Sequence, residues 1–370
     1  MSQLFLCGPL CHRPLLDVIL GSGAALLPAV AADREGVAVD APGAFALRRR
    51  RGQAVEGAVL EGASAEAHAR LAFYARALGL APQRLRVGTA AGSVAALAYA
   101  LRPAPDDRDP WQPALWLAGH AELARETAAE VMAEYGRLAP ARLQARLGSI
   151  MVRAASRLRA RTASAPHSLR RPPAEVEVVA RRQPYAHFFA VEEYDLSFRR
   201  FDGSMSAVVT RAAFVSTDAV TVLPYDPQRD RVLLVEQWRA GPFARGDGNP
   251  WQLEAIAGRI DAGETPEETA RREAEEEAGL TLGPLRRVAE YYPSPGAKTE
   301  FLYSYVAQAD LPDGTGGVFG VADEAEDIRT HIVSLDQALA LVESGEIANA
   351  PLALSLLWLA RERERFRAPS

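Results

Sequence analysis

Residues 258–280 read GRIDAGETPEETARREAEEEAGL. The stretch sets one glycine, Gly258, a glutamate at 264, then Arg272-Glu273, the pair Glu276-Glu277, and a closing Gly279-Leu280. Its middle reads as a helix with both ends marked. Thr265 suits the N-cap, Pro266 the first helical position, and Glu268 completes a capping box. Gly279 stands where a left-handed residue ends the helix. On that helix Glu273, Glu276 and Glu277 are spaced i, i+3, i+4 and share a face, while Glu275 points away. Carboxylates crowded on one face repel each other unless a cation sits among them. Hard oxygen ligands in that number suit Mg²⁺ or Mn²⁺ bridging to substrate phosphates. The alternative is a solvated acidic helix braced by pairs such as Glu268 with Arg272.

The spacing decides between the two. The arrangement G-x5-E-x7-R-E-(aliphatic)-x-E-E-x-G-(aliphatic), filled here with Ala274 and Leu280 at the apolar positions, resembles the box of the Nudix hydrolases. At usage of roughly 7% per residue type, seven fixed matches arise on the order of once in a hundred million windows. The resemblance implies hydrolysis of a nucleoside diphosphate linked to another group. It makes Glu273 and Glu277 metal ligands, with Glu276 beside them and the Ala257 carbonyl contributing. Arg272 then orients the glutamates through charge-assisted hydrogen bonds, and Gly258 and Gly279 permit the turns at each end.

Further segments resemble the ADP-ribose pyrophosphatase branch. In VEQWR (235–239) the arginine, Arg239, is expected to contact the substrate's phosphates. WQLEAIAG (251–258), with Glu254, matches the branch's lead-in to the box. YPSPGAKTE (292–300) carries Pro295, sixteen residues beyond Gly279, and Glu300. GVADEAEDI (320–328) matches the branch's mobile loop, which implies that Glu324 is the general base for water and Glu326 a further metal ligand. The expected reaction is Mg²⁺-dependent cleavage of ADP-ribose to AMP and ribose 5-phosphate. Pyrophosphatases of this branch are commonly homodimers that exchange N-terminal strands, which points to residues 184–212 as an interface. Another nucleotide sugar as substrate, or an ADP-ribose sensor that binds without turnover, are the competing expectations. Taken alone, Arg239 could pair with Glu254, and Trp238 and Trp251 could be core or interface residues.

Composition bounds the rest. A chain of 370 residues suggests two domains, and 48% hydrophobic with 24% charged residues is ordinary for a soluble protein. A net charge of −5 argues against general nucleic-acid binding. Cys7 and Cys11 cannot form a disulfide framework, which fits a reducing cytoplasm. The opening stretch (1–33) has an Ala-rich end but no basic start, and His12, Arg13 and Asp17 interrupt its apolar run. It reads as mature structure with no membrane span.

In chain order, residues 1–20 read as a strand, a turn at Gly8-Pro9, and a helix ending at Gly21. A strand at 54–62, a helix from Ser64, a strand pair over 85–101 around Gly92 and helical sequence from Asp109 to about Arg161 follow. This order resembles the γ-glutamylcyclotransferase-like fold, an α+β barrel. That family holds substrate with a Tyr-Gly-Ser/Thr-Leu loop and uses a glutamate late in an L-x-x-(F/Y)-E helix. Here the loop reads Cys7-Gly8-Pro9-Leu10 and the helix Leu71-Ala72-Phe73-Tyr74-Ala75, with alanine at the acid's position. Alanine cannot move a proton, so the expectation is a fold kept and a reaction lost, leaving a structural or oligomerisation module. Proteins combining these two domains are sometimes labelled tellurite-resistance factors, a label that no residue here explains.

The arginines of 149–183 and the run Arg48–Arg51 read as solvated helix end, linker and surface. Domain limits are expected at 1–165, a linker at 166–174, and 175–370. In the second domain, strands over 175–182, 187–200 and 206–214 precede a hairpin of 220–226 with 231–239. Phe301–Gln308 and Asp327–Ser334 add strands, and the last segments are helices. The expected class is α/β: an α/β/α sandwich with a mixed sheet, preceded by the barrel domain.

Overall fold

The structure is a computed structural model that describes residues 3–21, 25–39, 42–163, 168–170, 172–320 and 327–367. It divides into two compact units, Met1–Pro166 and His167–Ser370.

The first unit begins with β1 (Gln3–Cys7), whose alternate side chains serve two different cores. Phe5 and Cys7 enter one apolar cluster, Leu4 and Leu6 the other. That alternation is the pleat at work. A 3-10 turn (Gly8–Cys11) leads into α1 (Arg13–Leu20), then β2 (Leu26–Val37), β3 (Ala46–Leu60), α2 (Ala65–Ala77), β4 (Ala81–Thr89) and β5 (Gly92–Ala100). The strands close as a barrel in the order β1-β3-β2-β4-β5, sealed by a parallel β1–β5 contact. Its inside is filled by Phe45, Leu47, Val59, Val87 and small residues such as Ala96 and Ala98. Strand β2 begins in Leu26-Leu27-Pro28 and was not expected from the sequence, because its Ala-rich run lacks the β-branched pattern of a strand.

The helical stretch that follows is broken into α3 (Pro113–Gly119), α4 (Ala121–Ala133), α5 (Pro140–Gln144) and α6 (Leu147–Thr162). Two arginine runs are more structured than solvated surface. Arg153 of α6 is buried and bonds Glu130 of α4, while Arg157 and Arg161 pair with Glu130 and Glu126. Arg48 and Arg50 lie within β3 and both reach Glu35 on β2.

The second unit opens with a three-stranded sheet of β6 (Val176–Ala186), β7 (Ala190–Phe198) and β8 (Val209–Val215). An eight-stranded mixed sheet follows, built from β9 (Ala219–Asp226), β10 (Arg231–Trp238), β11 (Trp251–Glu254), β12 (Ile256–Arg259), β13 (Leu285–Tyr291), β14 (Leu302–Gln308), β15 (Val318–Phe319) and β16 (Ile328–Ser334). The path runs β13-β14-β9-β10-β16-β15, with β11 on β10 and β12 on β9. Helices α7 (Ala240–Arg245), α8 (Pro266–Ala278), α9 (Leu335–Ser344) and α10 (Ala350–Arg367) complete it. Val220, Val222, Leu233 and Val235 cluster with Ala270, Ala274 and Ala278 of α8. The alternate residues Leu223, Tyr225, Val232 and Leu234 cluster with Leu335 of α9 and Leu352, Leu356 and Leu359 of α10. Helices on both faces of one mixed sheet make the sandwich. Among the described residues no helix is long and apolar enough to cross a membrane.

Candidate active site

Helix α8 carries its cap in full. Glu268 N donates to Thr265 Oγ1 at 3.2 Å, and Thr265 N donates to Glu268 Oε2 at 2.8 Å. Gly279 closes the far end at φ 61°. Ala270, Ala274 and Ala278, four residues apart, bury one face against the sheet. Their small side chains bring the helix close to β9 and β12, which leaves its carboxylates at the edge of β12.

Arg272 gathers them. Its Nε and Nη2 donate to the two oxygens of Glu264 at 2.9 and 3.0 Å. Nη1 donates to Glu273 Oε1 at 2.7 Å and to Glu276 Oε2 at 2.9 Å. Glu264 also accepts from the Thr269 hydroxyl at 2.8 Å. The guanidinium bonded to Glu264 holds that carboxyl below the usual carboxylate range, and Glu264 in turn raises the guanidinium further. Glu277 is 2% exposed, and its Oε2 accepts from Ala257 N at 3.3 Å.

Gly258 has a different role from the turn expected of it. It lies inside β12 with no positive φ, and the Glu273 carboxylate rests directly on its Cα side. A Cβ there would stand 1.8 Å from Glu273 Oε1. Glycine is required for room.

The donor set has the chemistry of a hard-cation site. Glu264, Glu273, Glu276 and Glu277 bring four negative charges to the β12–α8 junction, and Arg272 offsets one. Of the expected ligands, Ala257, Glu273 and Glu277 meet here. Glu326, the other expected ligand, and Glu324, the expected base, lie outside the described residues. Among the described residues alone, no group of three or more His, Cys, Asp or Glu side chains is arranged to hold a metal ion. Carboxylates around a glycine cradle, with more negative charge than one arginine balances, fit a divalent cation.

The other expected residues sit on neighbouring elements. Arg239, at the end of β10, donates through Nε and Nη2 to the two oxygens of Glu254 on β11, at 3.0 and 2.7 Å. Pro295 is exposed in the β13–β14 connection. Glu300, at the end of that connection, accepts from Ser216 Oγ at 3.3 Å and faces Lys298 Nζ at 3.5 Å. Trp238 and Trp251 stand opposite each other on β10 and β11, both about half exposed, so neither is a core residue. Sequence reasoning missed Thr269 and gave Glu264 no task. The fixed spacing of Glu264 was the available signal, but only the folded loop shows that it grips Arg272.

Comparison with known proteins gives a concordant picture. Residues 215–353 match the model of the NUDIX domain. An ADP-ribose pyrophosphatase of Escherichia coli (strain K12) is 42% identical over 185 residues, covering 50% of this chain and 88% of that protein. An ADP-ribose pyrophosphatase of Haemophilus influenzae is 35% identical over 187 residues, 50% of this chain and 86% of the other. A GDP-mannose pyrophosphatase of Pectobacterium atrosepticum is 31% identical over 183 residues, covering 49% of this chain and 92% of that protein.

Proposed function

The chain belongs to the Nudix family as a pyrophosphatase, and from that premise we propose that it hydrolyses ADP-ribose to AMP and ribose 5-phosphate. The observation that carries the reading is the β12–α8 junction, where Arg272 binds Glu264, Glu273 and Glu276 while Glu277 reaches the backbone of Ala257.

A divalent metal, here Mg²⁺ with Mn²⁺ able to replace it, supplies charge neutralisation on the phosphates and a template for the pyrophosphate when bound. The Ala257 carbonyl, Glu273, Glu277 and Glu326 would hold it. Arg272 fixes the carboxylates in place before substrate arrives, so little reorganisation is left for the reaction. Glu254 fixes the plane of Arg239, whose guanidinium takes the substrate's phosphate oxygens. Glu324 is assigned as general base, its carboxylate taking a proton from the water that attacks phosphorus. Pro295 and Glu300 belong to the substrate side of the site.

The proposal includes a homodimer with residues 184–212 at its interface. The exposed side chains of Tyr185, Phe188, Phe198, Phe201 and Val208 support it. It also includes a cytoplasmic location, supported by the unpaired thiols Cys7 and Cys11. Residues 1–165, ahead of a linker at 166–174, are proposed to keep a cyclotransferase-like fold without its reaction. Ala75, at the acid's position, is fully buried.

The test mixes purified protein and Mg²⁺ with ADP-ribose, NADH, GDP-mannose and ADP-glucose, and identifies products by chromatography. AMP formed chiefly from ADP-ribose, and lost on addition of EDTA, is the expected result. Preference for GDP-mannose would favour the reading suggested by the GDP-mannose pyrophosphatase relative. Tight ADP-ribose binding without cleavage of anything would leave a sensor in place of an enzyme.

A further inference from the structure

The charged stripe of α8 opens with a residue that carries no charge. Thr269, Arg272, Glu273 and Glu276 stand at i, i+3, i+4 and i+7, along one side of the helix. Thr269 is fully buried, hydroxyl included. Its Oγ1 lies 2.8 Å from Glu264 Oε2 and 3.1 Å from the carbonyl oxygen of Thr265. A hydroxyl has one proton to give. The Thr265 carbonyl already accepts from Thr269 N at 3.1 Å, as the ordinary helix bond. The carboxylate is nearer and charged, and a charge-assisted bond is the stronger one. The proton therefore goes to Glu264.

Glu264 passes that restraint on. Its Oε1 accepts from Arg272 Nε at 2.9 Å, and its Oε2 accepts from Arg272 Nη2 at 3.0 Å, from Asp261 N at 3.3 Å and from Thr269. Nε and Nη2 are thereby committed to one carboxylate, with Nη2 also 3.4 Å from the Arg259 carbonyl oxygen. Nη1 is left for Glu273 at 2.7 Å and Glu276 at 2.9 Å. A guanidinium is rigid and planar, so the direction of Nη1 follows the plane of the Glu264 carboxylate. The terminal torsion of a glutamate is broad, and something must select one plane. Arg272 and Glu264 are 31% and 26% exposed, so water competes for their bonds. It does not reach Thr269.

Building on the metal-dependent hydrolase reading above, we propose that Thr269 is a positioning residue for the reaction. Its buried hydroxyl fixes the Glu264 carboxylate, Glu264 fixes the plane of Arg272, and Nη1 of Arg272 fixes Glu273 and Glu276. Thr269 acts only through this relay and touches neither metal nor substrate. The competing account is a helical threonine whose hydroxyl returns to the carbonyl one turn back and whose worth is packing.

The test compares wild type, Thr269→Val, Thr269→Ser, Glu264→Gln and the Thr269→Val/Glu264→Gln double variant, all as full-length chains. Thr269→Val keeps the branched shape and removes the hydroxyl, while Thr269→Ser keeps the hydroxyl. If Thr269→Val does not fold, Thr269→Ala carries the same comparison. Two readouts need no turnover. One is the Kd for Mn²⁺ without substrate. The other is the NMR signal of the Arg272 Nε proton, assigned by its loss in Arg272→Lys and sharp only while that proton is held. Thr269→Val should broaden the Arg272 signal and weaken Mn²⁺ binding about three- to tenfold, less than the 10- to 100-fold of a direct ligand partner. The kcat for ADP-ribose should fall by a similar factor with KM unchanged. Thr269→Ser should stay within about twofold of wild type, and Thr269→Val should add nothing in the Glu264→Gln background. An unchanged Arg272 signal and Mn²⁺ Kd in Thr269→Val overturns the proposal. So does a Thr269→Ser variant as impaired as Thr269→Val, which would make packing the cause. Either outcome leaves the hydrolase reading intact. Wild-type protein that binds no Mn²⁺ and cleaves no ADP-ribose overturns that reading and, with it, any role of Thr269 in the reaction.

Discussion

Helices α2 and α8 begin alike and end in opposite uses. Each has a hydroxyl N-cap: Ser64 accepts from Ala67 N, and Thr265 accepts from Glu268 N. Helix α2 turns Leu71, Tyr74 and Ala75 into the core, and the position where its family resemblance would need an acid is an alanine with no exposure. Helix α8 gives its core face to three alanines and carries Arg272, Glu273 and Glu276 at the edge. A cap decides that a helix starts. What fills the faces decides whether it can do chemistry.

The comparison breaks most visibly if the charged helix is dispensable. Glu273→Gln keeps the shape of the side chain and removes its charge. Loss of a ligand that stabilises charge in the transition state is worth several kcal/mol, so kcat/KM for ADP-ribose should fall on the order of a thousandfold. A variant within tenfold of wild type would show that α8 is not the catalytic helix. The mirror experiment restores an acid to α2. Ala75→Glu should give no cyclotransferase product, and should cost roughly 3–5 kcal/mol for an unpaired buried carboxylate. The readout is the urea midpoint of unfolding. A stable variant with new activity would mean that the barrel unit had kept a site.

These two helices also mark what could be read in advance. The α8 box was legible because its chemistry needs fixed residue types at fixed spacing, and capping box, helix and terminal glycine all follow from local rules. Ala270, Ala274 and Ala278 as the packing face follow from helical period. The grip of Glu264 on Arg272 and the room that Gly258 leaves for Glu273 depend on how a loop and a strand edge meet the helix, which no local pattern encodes. The same holds for the buried hydroxyls of Thr221 and Ser304, which sheet register brings to 2.7 Å of each other. Strand β2 was missed because its alanines and proline carry no strand propensity, and its place is set by pairing along β3.

A sharper test keeps the charge and alters the geometry. Arg272→Lys retains one positive charge but cannot span Glu264, Glu273 and Glu276 with a planar fork. An orienting partner of this kind is worth about 10- to 100-fold in activity, and that loss in kcat/KM is expected here. Lysine at full activity would reduce Arg272 to a counter-charge. Glu264 offers a pH readout of the same network. Its folded pKa lies below the unfolded one, so its contribution to stability is complete above about pH 4.3 and is lost as pH falls through the folded value. Melting temperature measured from pH 6 to 3 should drop more steeply for wild type than for Glu264→Gln on the acid limb. Parallel curves would remove Glu264 from the network.

The smallest expected effect comes from deleting the barrel unit. The two units divide at Pro166–His167, and the aligned region of the Escherichia coli relative, half of this chain, covers 88% of that protein. A region of this extent therefore stands nearly alone as a protein elsewhere. Every residue assigned to metal and phosphate lies in the second unit. The chain from residue 168 onward should then turn over ADP-ribose with kcat/KM within about twofold of the full-length protein, the range of changes remote from a site. A larger loss, with the melting temperature of the remaining unit unchanged, would mean that the barrel takes part in the reaction, and the contrast between the two helices would have to be redrawn as a division of labour.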